Sequence, residues 1–96
     1  MANVKVTLDS GLKTIDVDDK HVRVSVSGKT KVLWTCHDGD FQIKFKPGSS
    51  WPNPVTTRTG AVWTAECGPF TSEGKLEYAV ASTGYKTLDP EIIIDR

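Results

Sequence analysis

A chain of 96 residues, 38% apolar and 25% charged, has room for one domain (residues 1–96) and one modest core, which excludes a second domain and a deep cleft walled by two. Its 12 Lys and Arg balance 12 Asp and Glu, so no net field draws it to nucleic acid or to an anionic membrane, and neither is expected as a partner. Met1-Ala2-Asn3-Val4-Lys5 lacks the basic start and apolar run of a signal peptide, and no apolar stretch is long enough for a membrane helix. This favours a cytoplasmic setting as an expectation and leaves localisation open.

The apolar pattern has period two from the start, which puts successive side chains on opposite faces of a strand. Val4, Val6 and Leu8 alternate with Lys5 and Thr7, and Thr14 to Val17 forms a weaker segment suited to an edge. Val22, Val24 and Val26 alternate with Arg23 and Ser25, and Val32, Trp34 and Cys36 place bulk on one face of the next run. Phe41, Ile43 and Phe45 alternate with Gln42, Lys44 and Lys46. Ala61, Trp63, Ala65 and Cys67 follow, then Leu76, Tyr78 and Val80, and finally Ile92-Ile93-Ile94 after Asp89-Pro90.

Between these runs stand turn formers: Asp9-Ser10-Gly11, Asp18-Asp19-Lys20, Ser27-Gly28-Lys29, His37-Asp38-Gly39-Asp40, Gly68-Pro69 and Ser72-Glu73-Gly74. Pro47 to Thr59 reads as a long irregular loop, with Pro47, Pro52 and Pro54 around Trp51. No segment has a helical period. Seven or eight short strands at this spacing predict an all-β chain, a two-sheet Greek-key sandwich.

The run Gly28-Lys29-Thr30-Lys31-Val32-Leu33-Trp34-Thr35-Cys36, followed by Phe41-Gln42-Ile43-Lys44-Phe45, resembles the paired strands of the cupredoxin-like β-sandwich family. Gly74-Lys75-Leu76-Glu77-Tyr78-Ala79-Val80 resembles that family's strand before its metal-binding loop, and Leu88 to Asp95 looks like the last strand of small bacterial proteins of this type. The likeness spans Val22 to Ser82; an immunoglobulin-like sandwich is the alternative. The family's copper centre takes two His and a Cys thiolate with a weak axial ligand. Phe41 stands where the resemblance places the first His, Val80 where it places the Cys, and Ala81 to Leu88 contains neither His nor Met. The resemblance therefore implies the scaffold without its copper, and no cofactor is expected.

Other chemistry has little support. Cys36, His37 and Cys67 are the candidates for a non-standard metal or electron-transfer site, but metal sites need three or four ligands at converging spacings, and no CxxC is present. The two cysteines read as free thiols, with a disulfide as the alternative in an oxidising compartment. No Gly-x-Ser-x-Gly elbow or helix-opening glycine loop appears, so the chain reads as no enzyme. Trp34 and Trp63 fall on inward positions and read as core anchors. Trp51 with Ser50, Asn53 and Arg58 combines an aromatic face with hydrogen-bonding groups suited to binding, against the simpler reading in which Trp51 plugs one end of the sandwich. The resulting expectation is a small interaction module that binds a protein, or a second copy of itself as a homodimer, through the 47–59 loop or a sheet edge. A structural subunit of a larger assembly is the remaining rival.

Overall fold

Nine strands and no helix make up the computed structural model among the residues it describes, 1–49 and 51–96. They are β1 (Ala2–Asp9), β2 (Thr14–Val17), β3 (His21–Ser25), β4 (Val32–Cys36), β5 (Gln42–Phe45), β6 (Thr57–Thr59), β7 (Val62–Cys67), β8 (Gly74–Ala81) and β9 (Glu91–Asp95). Two packed sheets result, one in the order β2-β1-β4-β7-β6 and the other in the order β3-β9-β8-β5. The two-sheet, all-β architecture is the one the alternation predicts.

The alternation becomes burial. In β1, Val4, Val6 and Leu8 are buried while Lys5, Thr7 and Asp9 are exposed, and β3 repeats the pattern with Val22 and Val24. Each sheet contains one parallel pair, β1 with β4 and β3 with β9, because the chain crosses between sheets on leaving β2, β3, β4, β5 and β7. Side chains of the turns close the reversals: Asp9 Oδ1 accepts from the Gly11 and Leu12 amides at 3.0 and 3.1 Å, and Asp19 Oδ1 accepts from the His21 amide at 3.0 Å.

Two aromatic residues span the centre. Trp34 on β4 and Tyr78 on β8 are fully buried, with ring centroids 5.3 Å apart at 65°, and the indole Nε1–H donates to the Tyr78 hydroxyl at 3.1 Å. Burial pushes the Tyr78 hydroxyl up to about 12, the Trp34 hydrogen bond opposing and the charges of Asp19 and Asp18 adding to the rise. No buried side-chain polar atom among the described residues lacks a partner.

Two sequence expectations need correction, and one alternative is closed. The stretch read as one loop to Thr59 ends in a strand: Thr57–Thr59 pairs antiparallel with Val62–Thr64 across Gly60-Ala61, where Gly60 has φ 64. A short β-branched run before a two-residue turn is a hairpin signal, and the prolines upstream obscure it. Trp63 faces inward as expected but lies at the end of its sheet, half-buried, with the Arg58 guanidinium 4.9 Å above its ring. The disulfide alternative fails on register. Cys67 stands opposite Val32, four residues along β4 from Cys36, so about 13 Å of strand separates two thiols that must approach within about 7 Å at Cα. Both cysteines are buried and free.

Candidate functional site

The proline-rich segment is a strap fastened along the edge of the second sheet. Asn53 Oδ1 accepts from the Phe45 amide at 2.8 Å, and Thr56 Oγ1 donates to the Phe41 carbonyl at 2.6 Å. These two contacts occupy groups that β5 presents to its open side, one of the ways natural sheets blunt an edge. Asn53 is thereby committed to the backbone. Trp51 turns back to pack edge-on against buried Phe70, with centroids 5.0 Å apart, at the end of the sandwich where β7 stops and β8 begins. Arg58 sits near the opposite end, beside Trp63, and its Nε donates to the Gly60 carbonyl at 2.9 Å. Trp51 and Arg58 thus pack on different residues toward opposite ends of β7, and Ser50 lies outside the described residues.

What the strap leaves open is half of β8. That strand is eight residues long, whereas its neighbour β5 has four and pairs only with Tyr78–Ala81. One further bond, from the Lys46 amide to the Glu77 carbonyl at 3.1 Å, ends the ladder. Pro47, with no amide hydrogen, and Gly48, at φ 95, then turn the chain away, and the Ser49 amide closes the turn on the Lys46 carbonyl at 3.2 Å. Gly74–Glu77 thus pair with β9 on one side. On the other side, among the described residues, no strand accompanies them.

Register tells which backbone groups face this gap. The Tyr78 and Val80 amides donate to the Pro90 and Leu88 carbonyls, so the even positions of β8 bond toward β9 and the odd ones face away. The amide and carbonyl of Lys75 and the amide of Glu77 therefore point into the gap. Its far wall is the Pro47–Ser49 turn, leaving a cleft of about 390 Å³ over Lys75, Leu76 and Glu77. A second cleft of about 240 Å³ adjoins it, where half-buried Leu76 and Trp51 and buried Ile94 share the walls with the polar Ser49, Ser72, Glu73 and Lys75. The site therefore combines an unpaired backbone edge with a recess of mixed, mainly polar lining in which Trp51 and Leu76 supply the apolar surface.

Charges surround it. Lys46 Nζ lies 3.5 Å from Asp89 and Lys75 Nζ 3.4 Å from Glu91, whose other oxygen meets His21 Nδ1 at 2.7 Å. The His21 hydrogen bond, against some desolvation and with help from Lys75, holds the Glu91 carboxyl below its ordinary value. Glu77 is the cross-strand neighbour of Glu91, a like-charge pairing that His21 and Lys75 offset.

The other expected sites fall elsewhere. Phe41 and Val80, at the positions of the metal ligands in the resemblance, are buried. Beside them lies a cleft of about 220 Å³ with Asp38, Asp40, Ser82 and Tyr85 on its walls. Its polar groups are partly engaged: Asp38 Oδ2 accepts from the Leu8 amide at 3.0 Å, and Ser82 Oγ donates to the Asp40 carbonyl at 2.9 Å. Cys36, His37 and Cys67 do not form one ligand set, since Cys67 is at the far end of the β4–β7 ladder, and no group of three or more metal-ligating side chains occurs among the described residues. Burial raises the Cys67 thiol, with the Gly68 backbone opposing.

No family model, curated protein or solved structure matches the chain. Sequence reasoning singled out Trp51 and placed Leu76 on the inward face of its strand, but missed Phe70 and the open backbone of β8. Phe70 lies in an aperiodic connection, and the gap depends on the unequal lengths of two strands far apart in the chain, which no local pattern records.

Proposed function

We propose that the chain is a non-catalytic protein-interaction module on a copper-free cupredoxin-like scaffold, and that it binds by accepting an extended segment of a partner along the open half of β8, beside Trp51. The observation that carries the reading is the mismatch between eight-residue β8 and four-residue β5, which leaves backbone donors and an acceptor exposed next to a cleft that Trp51 and Leu76 help to line. Strand addition of this kind draws affinity from main-chain hydrogen bonds and specificity from the pockets for alternate side chains. The other edges are less suited: β2 has four residues, β6 has three, β5 is strapped, and β3 carries His21 and Arg23, both in cross-strand ion pairs. The parallel pairs β1–β4 and β3–β9 favour the cupredoxin-like scaffold over an immunoglobulin-like one, whose sheets are antiparallel.

Lys75→Pro tests the reading. Proline deletes an amide that faces the gap and leaves the bonds to β9 intact, the arrangement tolerated on edge strands. A partner recovered from cell extract and identified should be retained by the wild-type protein and lost by the folded Lys75→Pro variant. A partner that binds both equally refutes the site.

A further inference from the structure

Resting on that reading, we infer that the segment taken up at the open edge belongs to a different chain and runs parallel to β8. The backbone groups left over at the gap select the direction. Among the described residues nothing bonds to the Lys75 amide, the Lys75 carbonyl or the Glu77 amide, whereas the Glu77 carbonyl already accepts from the Lys46 amide at 3.1 Å. Lys46 itself fills the place opposite Glu77, and the Pro47–Ser49 turn leaves the line there. Two donors and one acceptor are therefore free, and a new strand has room opposite Gly74, Lys75 and Leu76 only.

A parallel strand bonds in a staggered way. Its residue opposite Leu76 gives an amide to the Lys75 carbonyl and receives the Glu77 amide on its own carbonyl, while its residue opposite Gly74 accepts from the Lys75 amide. All the free groups are used, and the Glu77 carbonyl, already engaged by Lys46, is not called for. An antiparallel strand exchanges both bonds with Lys75 through the single residue opposite it, and its next bonded pair would fall at Glu77, where Lys46 stands. The Glu77 amide would then be covered and left without an acceptor, a state that buried donors avoid. Side chains take no part in this choice, in keeping with a cleft of mixed lining. The same groups disfavour a second copy as the occupant. Two β8 edges related by a two-fold axis across the strands run antiparallel; matching Lys75 with Glu77 of the copy puts the copy's own lysine where Lys46 stands, and matching Lys75 with its counterpart sets like charges face to face.

The probe is an end-capped pentapeptide, Thr-Val-Thr-Val-Thr, whose side chains read the same in both directions, so that only its main chain distinguishes them. Titrated to millimolar concentration against the isotope-labelled protein, it should shift the Gly74–Glu77 amides in NMR spectra. A version with a nitroxide at its N-terminus should broaden Glu73 and Gly74 most, and one with the nitroxide at its C-terminus should broaden Lys46 and Tyr78 most. Glu77→Pro deletes one of the free donors and keeps the bonds to β9, so it should weaken binding about threefold or more. Reversed or equal broadening by the two nitroxides, or binding that Glu77→Pro leaves unchanged, overturns this inference and leaves the strand-addition reading standing. A dimer whose Gly74–Glu77 amides shift with protein concentration in the absence of peptide does the same. Absence of any shift at Gly74–Glu77, with peptide or with protein concentration, overturns both.

Discussion

Removing one oxygen from the centre of the core, by Tyr78→Phe, isolates the hydrogen bond that joins the two sheets. The ring and its edge-to-face contact with Trp34, centroids 5.3 Å apart, are kept, so packing changes little. The indole Nε1–H, which donates to the lost hydroxyl at 3.1 Å, is left without that partner inside a residue with no exposed surface. Orphaning a buried neutral donor costs about 1–3 kcal/mol. Unfolding entropy near 2.1 cal/mol/K per residue gives about 0.2 kcal/mol/K for a chain of this size, so Tm should fall by about 5–15 °C. The assay is calorimetry at neutral pH, paired with hydrogen exchange of the indole N–H groups. The Trp34 indole should be the slowest to exchange of the three tryptophans in the wild type and should speed up in the variant. A fall of less than about 2 °C, or a Trp34 indole that exchanges as fast as the half-buried ones, refutes the account, because both observables rest on the same dry hydrogen bond.

Ionisation of Tyr78 gives a second test. A hydroxyl raised from 10.0 to about 12 keeps its proton longer when folded, so its contribution is complete below pH 10 and lost as pH rises toward 12. That loss amounts to about 2–3 kcal/mol, and the stability gap between wild type and Tyr78→Phe should close across this window in denaturant titrations. Glu91 runs the other way. Its carboxyl lies below the ordinary 4.5 when folded, so the advantage of wild type over Glu91→Gln should be full above that pH and disappear as the pH falls through the lowered value, read as a difference in Tm. Gly68→Ala should cost more than 2 kcal/mol, because at φ 112 its new Cβ meets the Lys31 Cα at 3.2 Å and the Thr30 carbonyl at 3.3 Å. Gly60→Ala, at φ 64 with open space, should cost about 1 kcal/mol, and equal losses at the two sites would contradict the close approach at Gly68. Asn53→Ala should lower stability by about 1 kcal/mol and accelerate exchange of the Phe45 amide, which its side chain now caps; unchanged exchange would show that the strap does not protect β5.

The sequence by itself determined which residues face the core. The alternation of Val4, Val6 and Leu8, of Val22 and Val24, and of Phe41, Ile43 and Phe45 is local, and any packed strand must turn those faces inward, so the all-β two-sheet architecture was legible without coordinates. Turn chemistry marked most of the reversals. It did not mark β6, where Thr-Arg-Thr follows a proline-rich run, or the burial of Phe70 in an aperiodic connection. Tertiary structure alone decided three things: that Trp51 closes one end while Arg58 lies toward the other, that Asn53 and Thr56 strap β5, and that β8 outruns its neighbour. The physical reason is one of range. Period-two burial is a property of each strand separately, whereas an unpaired edge exists only relative to a neighbour more than thirty positions away in the chain, and where that neighbour ends is set by a Pro-Gly turn whose consequence appears only once the strands are side by side.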